Sequence, residues 1–306
     1  MDEFSLIERY FAGLGAGPAV ALSVGDDCAL LTPPPGELLA TSVDTLVCGV
    51  HFPAAAAPAD IAYRAVAAAA SDLAAMGARP LGMTLALTLP EADAAFLGPF
   101  AQGLRAAVKD FNLPLVGGDT TRGPLTVTVQ VQGAVPAGAA LTRAGAQPGD
   151  RLCVSGPLGD AAAALAFFQG EWQAPERFAA LLHQRFYRPL PRLDLGVALR
   201  GVASAAIDIS DGLLADAGHL ARASGVRIDI ESGAVPLSDA LLAQPDEHTR
   251  LRWALAGGDD YELCFTLPAG AAVPDGCTAI GCVSPGEGVH ASDTVDFPAG
   301  YTHFAS

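Results

Sequence analysis

Five short stretches of this chain share one pattern: an apolar strand or helix that runs into an acid-bearing turn. They are Gly25-Asp26-Asp27, Ser42-Val43-Asp44-Thr45, Ser71-Asp72, Gly117-Gly118-Asp119-Thr120-Thr121 and Asp208-Ile209-Ser210-Asp211-Gly212. A sixth, Gly257-Gly258-Asp259-Asp260-Tyr261-Glu262, nearly repeats it. The pattern restricts the fold. If the apolar segments enter a core, the acids at their ends converge at its rim. Two carboxylates ~4 Å apart repel by roughly 4 kcal/mol at an effective dielectric of about 20, so a converged set calls for cations. Oxygen ligands with no companion Cys or paired His select Mg2+, Mn2+ or Ca2+ over zinc. Ser42 adds a hydroxyl oxygen. Taken singly, each acid is as well explained as a turn or helix cap. The recurrence is what favours a metal cluster.

Charge narrows the partners. The formal net charge is −16, and Lys109 is the only lysine. Nucleic acid and anionic membranes both need clustered cations, so neither is expected as a partner. A chain this acidic that handles phosphates needs something other than lysine to neutralise them, and Mg2+ held by carboxylates meets that need. Gly25, Gly118 and Gly212 stand beside the acids and allow close main-chain approach to phosphate oxygens. Arg143 is either a fork donor to a phosphate or a solvated surface arginine.

The 306 residues favour two domains, and 51% apolar content is ample for two cores. Residues 4–13 read as a short amphipathic helix. Glu37–Val47 reads as a strand that reaches its acid at Asp44 and leads into a loop carrying His51. Pro58–Gly77 reads as a helix, with Pro58 in its first turn and Gly77 as its C-terminal cap. Asp72, near that C-terminus, opposes the helix dipole and needs a compensating partner. Pro80–Pro90 and Leu125–Val135 alternate as half-buried strands, with a second helix over 92–111 and a short strand at 113–116 between them. Pro136–Asp150 is turn-rich and marks a boundary. Strands follow at 151–155, 205–209, 226–230, 261–267 and 277–283, with helices near 160–170, 176–187, 192–201 and 213–224. The fold class is α/β (α+β), with an N-terminal domain over 1–137, a linker over 138–150 and a C-terminal α/β domain over 151–306.

Common catalytic signatures are missing. There is no G-x-x-x-x-G-K-[ST], no H-R-D loop, no G-x-S-x-G and no H-E-x-x-H. Gly13-Leu14-Gly15-Ala16-Gly17-Pro18 is a near miss for a dinucleotide loop and reads as a turn. The six cysteines are scattered without a C-x-x-C pair and read as small buried hydrophobes. The acidic N-terminus has neither the basic start nor the apolar stretch of a signal peptide, and no run approaches the ~20 apolar residues of a membrane helix, so a cytoplasmic location is expected. His51 shares a loop with Asp44 and is either structural or substrate-facing. Tyr301 could stack on a ring, although core packing is the plainer role.

Residues 4–11 (FSLIERYF), 25–31 (GDDCALL), 42–52 (SVDTLVCGVHF), 71–78 (SDLAAMGA), 117–125 (GGDTTRGPL), 141–150 (LTRAGAQPGD), 207–213 (IDISDGL) and 257–265 (GGDDYELCF) resemble, in order, the thiamine-monophosphate kinases. These belong to the superfamily named after aminoimidazole ribonucleotide synthetase. The resemblance implies a two-domain fold whose N-terminal sheet pairs with that of a second subunit, giving a homodimer. It implies phosphorylation of thiamine phosphate by ATP, with several Mg2+ ions. It makes Asp27, Ser42, the Val43 main chain, Asp44, Asp72, Asp119, Asp208 and Asp211 metal ligands. It assigns ATP binding to Gly118, Asp119, Arg143 and Ser210, and thiamine phosphate to His51, Asp259 and Tyr301. No residue is implied as a general base. Of the metal ligands, Asp44, Asp72 and Asp211 are expected to be essential.

Two departures stand out: Asp259 replaces the family's usual Glu, and Ala70-Ser71-Asp72 lacks the usual leading Asn-Leu. Competing expectations are another ATP-using enzyme of the superfamily and a non-catalytic acidic metal-binding module. Selenophosphate synthetases need a reactive Cys or selenocysteine near the N-terminus, and the hydrogenase-maturation relatives end in a functional Cys. Here Cys28 falls inside an apolar strand and the chain ends His303-Phe304-Ala305-Ser306.

Overall fold

The computed structural model describes residues 3–292, so Tyr301 lies outside the described residues. The chain forms two compact units. The first ends at Ala140, and the second begins at Leu141 and also takes in Ala74–Gly77.

The first unit contains α1 (Glu3–Tyr10), β1 (Val20–Leu22), β2 (Leu30–Leu31), β3 (Glu37–Val47), α2 (Pro58–Ala75), β4 (Arg79–Leu89), α3 (Ala94–Phe111), β5 (Leu115–Arg122) and β6 (Thr126–Pro136). Four of these strands make one sheet in the order β3-β6-β4-β5, antiparallel except for the β4–β5 pair. Alternation sets its two faces. Leu46, Met83, Leu85, Leu87, Val127, Val129 and Val131 are buried. Thr41, Val43, Thr45, Ala86 and Gln130 lie on the opposite face and are exposed. Every residue of α2 from Ile61 to Ser71 is buried, which suits its run of alanines. Close approach is needed here: a Cβ on Gly133 of β6 would meet Leu73 Cδ2 at 2.9 Å. Asp93 caps α3 by accepting from the Ala95 amide at 2.9 Å.

The strands run further than their residue types suggest. β3 continues past Asp44 to Val47, paired with β6 at every position, and Asp44 sits opposite Val129. β5 likewise runs through Gly117–Thr121, paired with Thr84–Thr88 of β4. The reading of Glu37–Val47 as a strand holds, whereas the expectation that the strand before Asp119 stops at 116 is corrected. A neighbour that pairs each N–H and C=O outweighs the weak strand preference of Asp and Gly.

The second unit contains β7 (Arg151–Val154), α4 (Asp160–Phe168), α5 (Ala179–Tyr187), α6 (Leu193–Ala198), β8 (Ala205–Asp208), α7 (Leu213–Ser224), β9 (Arg227–Ile230), α8 (Asp239–Leu242), α9 (Glu247–Ala256), β10 (Leu263–Leu267), β11 (Thr278–Ser284) and β12 (Gly288–Ala291). Its strands form a 6-stranded sheet in the order β12-β9-β11-β7-β10-β8, antiparallel except for the parallel β12–β9 edge. β10 lies inside the sheet and is buried throughout. In the segment 141–150, Leu141, Ala146 and Asp150 are buried. Among the described residues, no helix is long and apolar enough to cross a membrane.

Candidate active site

In the first unit, β3 and α2 bring three predicted residues together. Alternation points Ser42 and Asp44 to the same face as buried Leu46, the face on which α2 packs. Ser42 Oγ donates to Asp72 Oδ2 at 2.5 Å. This hydroxyl is the compensating partner that an acid at the C-terminal end of α2 requires. Among the described residues, no such donor reaches Asp44. Burial, and then the neighbouring Asp72 charge, push its carboxyl up to about 6. Two carboxylates and a hydroxyl crowded on oxygen donors alone make a set that a hard divalent cation would relieve. Val43 stands between them, opposite Gln130 in the ladder, with its side chain on the open face.

β3 ends in a tight loop that sets His51. The Val50 and His51 amides both donate to the Val47 carbonyl, at 3.1 and 3.0 Å, and the Val47 amide donates to His51 Nδ1 at 3.0 Å. An imidazole that accepts at Nδ1 carries its proton on Nε2. His51 thus presents a donor at Nε2.

Asp27, Gly118 and Asp119 line a single cleft of about 830 Å³, with Asp26, Thr84 and Gln132. Asp119 lies on β5 and Asp44 on β3, the two edges of the four-stranded sheet. Three strand spacings separate those backbones by roughly 14 Å.

In the second unit, Asp208 ends β8 and is 6% exposed. Ser210 and Asp211 follow in a loop whose amides are held by Asp216, a residue that the acid-turn pattern missed. Asp216 Oδ2 accepts from the Ser210, Asp211 and Gly212 amides at 3.0, 3.0 and 3.1 Å. Burial pushes its carboxyl up to about 7 against these three donors. Ligand atoms of Asp211, Asp216 and His219 lie within 4.8 Å of one another. Arg143 is exposed, and its carbonyl accepts from Ser224 Oγ at 3.0 Å.

The Gly257–Glu262 segment carries more than Asp259. Tyr261 Oη donates to Asp259 Oδ1 at 3.0 Å, orienting the carboxylate assigned to the acceptor. Asp260 accepts from the Gly159 amide at 2.7 Å, just before α4, and burial pushes its carboxyl well above the usual range. Glu262 is 1% exposed and is gripped by both the Nε and Nη2 of Arg192, by Arg185 and by Ser155 Oγ. The acids of this motif were visible in the sequence, but only the fold shows that two of the three point inward.

Comparison with known proteins agrees with this architecture. Residues 25–135 match the AIR synthase related protein, N-terminal domain, and residues 147–279 match its C-terminal domain. The chain is 52% identical over 268 residues to the thiamine-monophosphate kinase of Salmonella typhimurium, spanning 87% of this chain and 82% of that protein. The crystal structure of the thiamine-monophosphate kinase from Stenotrophomonas maltophilia superposes with a TM-score of 0.87 at 43% identity, covering 95% of this chain and 97% of that one. AaThiL, solved in complex with AMPPCP and TMP, gives a TM-score of 0.82 at 34% identity, over 89% of each chain. With a two-unit fold, acid-bearing loops in both units and identity of this extent, the chain belongs to the thiamine-monophosphate kinase family.

Proposed function

We propose that this chain transfers the γ-phosphoryl group of ATP directly to thiamine phosphate, giving thiamine diphosphate and ADP. The observation that carries the reading is the Ser42–Asp44–Asp72 group, in a chain 52% identical to a thiamine-monophosphate kinase. Its oxygen-only donors and crowded negative charge fit Mg2+. Asp27, Ser42, the Val43 main chain, Asp44, Asp72, Asp119, Asp208 and Asp211 would hold several such ions. Bound Mg2+ supplies charge neutralisation on the phosphates during in-line transfer.

The chain's own groups do the positioning. Gly118, Asp119, Arg143 and Ser210 hold ATP, with glycine and loop amides facing phosphate oxygens. His51 offers its Nε2 proton to thiamine phosphate. Asp259, oriented by Tyr261, and Tyr301 complete the acceptor contacts. No strong base is required, because a phosphate monoester with a second pKa of ~6 is already largely ionised near neutral pH. Residues 1–137 form the ATP/Mg2+ and dimerisation domain, 138–150 the linker and 151–306 the C-terminal domain. The chain works as a homodimer paired through the open face of its N-terminal sheet. It acts in the cytoplasm, a location supported by six free cysteines.

The test is direct. Purified protein with ATP, Mg2+ and thiamine phosphate forms thiamine diphosphate and ADP in equal amounts, and absence of both sinks the reading. Asp44→Asn lowers turnover by at least ~100-fold, the scale of losing one key electrostatic contact, and excess Mg2+ does not restore it.

A further inference from the structure

Two loops in the second unit carry the residues assigned to opposite reactants. Loop 208–212 bears Ser210 and Asp211, on the nucleotide and metal side. Loop 257–262 bears Asp259, on the acceptor side. The main chains of these loops are stitched together. The Asp259 amide donates to the Ser210 carbonyl at 2.8 Å, the Tyr261 amide to the Ile209 carbonyl at 2.8 Å, and the Ile209 amide to the Glu262 carbonyl at 2.8 Å. Between these bonds the loops touch so closely that a Cβ on Gly258 would meet the Ser210 carbonyl oxygen at 2.4 Å. Asp259 and Tyr261 adopt left-handed backbone conformations, with φ of 70° and 51°. Such conformations persist only where the surroundings impose them.

The first of these loops is held by a buried carboxylate outside the proposed ligand set. Asp216, in the first turn of α7 and 2% exposed, accepts three consecutive amides of loop 208–212 on one oxygen. Those amides include that of Gly212, the N-cap of α7 and one of the otherwise orphaned donors at the helix start. The carboxylate therefore fixes how Ser210 faces, and the Ser210 carbonyl in turn fixes the Asp259 amide.

We propose that Asp216 is a positioning residue for both reactants: it places Ser210 and Asp211 directly, and Asp259 through the Ser210 carbonyl. The inference rests on the kinase reading, in which Ser210 and Asp211 serve ATP and Mg2+ and Asp259 serves thiamine phosphate. It adds a coupling that those assignments do not contain. A carboxylate that only capped α7 would affect folding alone, and one that only ligated a cation would affect Mg2+ and ATP alone.

The experiment measures KM for Mg·ATP and KM for thiamine phosphate, with thermal midpoints, in wild type, Asp216→Ala, Asp216→Asn and Gly258→Ala. Asp216→Ala raises both KM values at least five-fold. Asp216→Asn, which keeps an oxygen acceptor in place, brings both back to within about three-fold of wild type. Gly258→Ala forces the same joint apart from the other loop and raises both KM values together, and it carries the test should Asp216→Ala not fold. A lowered thermal midpoint with both KM values within two-fold of wild type overturns the proposal, as does a rise confined to Mg·ATP. Product from wild type with unmoved KM values in the variants sinks this inference alone. No product from wild type sinks the kinase reading and this inference with it.

Discussion

Asp44 shows how an acid of a candidate active site can cost stability. Burial and the Asp72 charge raise its carboxyl from 3.8 to about 6, and burial raises Asp216 to about 7. An acid whose pKa is higher in the folded state than in the unfolded state binds its proton more tightly when folded. The stability linked to that proton is fully present below the unfolded value and is lost as pH rises through the folded one. For Asp44 the window runs from about 4 to about 6. In chelator, wild type should therefore lose thermal stability relative to Asp44→Asn as pH rises across that window, by on the order of 2–5 °C. Added Mg2+ should reverse the loss near pH 7 and do so less well near pH 5, where protons compete for the same oxygens. A wild-type-minus-variant difference in thermal midpoint that stays constant with pH would show that Asp44 is not strained in this way.

At the scale of elements, the Asp44–Asp72 pairing depends on how closely α2 lies against β6. Gly133 permits that approach, since a Cβ there would meet Leu73 Cδ2 at 2.9 Å and Ala78 Cβ at 3.0 Å. Gly133→Ala should destabilise the protein by about 1–3 kcal/mol, the usual cost of overpacking. Because Asp72 is the residue before Leu73, the same shift should loosen the bond from Ser42 to Asp72 and weaken Mg2+ binding. Urea unfolding and calorimetric Mg2+ titration check the two effects separately. Lost stability with unchanged Mg2+ affinity would mean that helix placement does not set the site.

The open face of the N-terminal sheet matters at the scale of the whole molecule. Leu39 is 55% exposed and Val43 is 59% exposed on it. The polar residues around them bond to one another: Thr45 Oγ1 to Thr128 Oγ1 at 2.9 Å, and Thr84 Oγ1 to Gln130 Oε1 at 3.2 Å. A sheet face with unburied Leu and Val suits pairing with another copy of itself. Wild type should sediment at twice the chain mass. Leu39→Glu, which puts a charge into that face, should shift it to the monomer. A wild-type monomer, or a Leu39→Glu dimer, would move the interface elsewhere.

The sequence by itself determined much of this protein. The alternation of 80–90 and 125–135, the proline-to-glycine span of α2 and the full extent of β3 follow from local preference and from which side chains must leave water. The recurring acids raised the expectation of a metal-dependent site, and their order along the chain carried the resemblance to the kinases. Tertiary structure decided what depends on neighbours distant in the chain. Pairing with β4 drew Asp119 inside a strand, because ladder partners satisfy backbone groups whatever the side chain prefers. Packing of α2 selected Ser42 as the partner of Asp72. The roles of Asp216, Asp260 and Glu262 emerged only in three dimensions. An acid that binds solvent or a ligand and one that folds back on main-chain amides are the same letter in a sequence, and only the surrounding fold separates them.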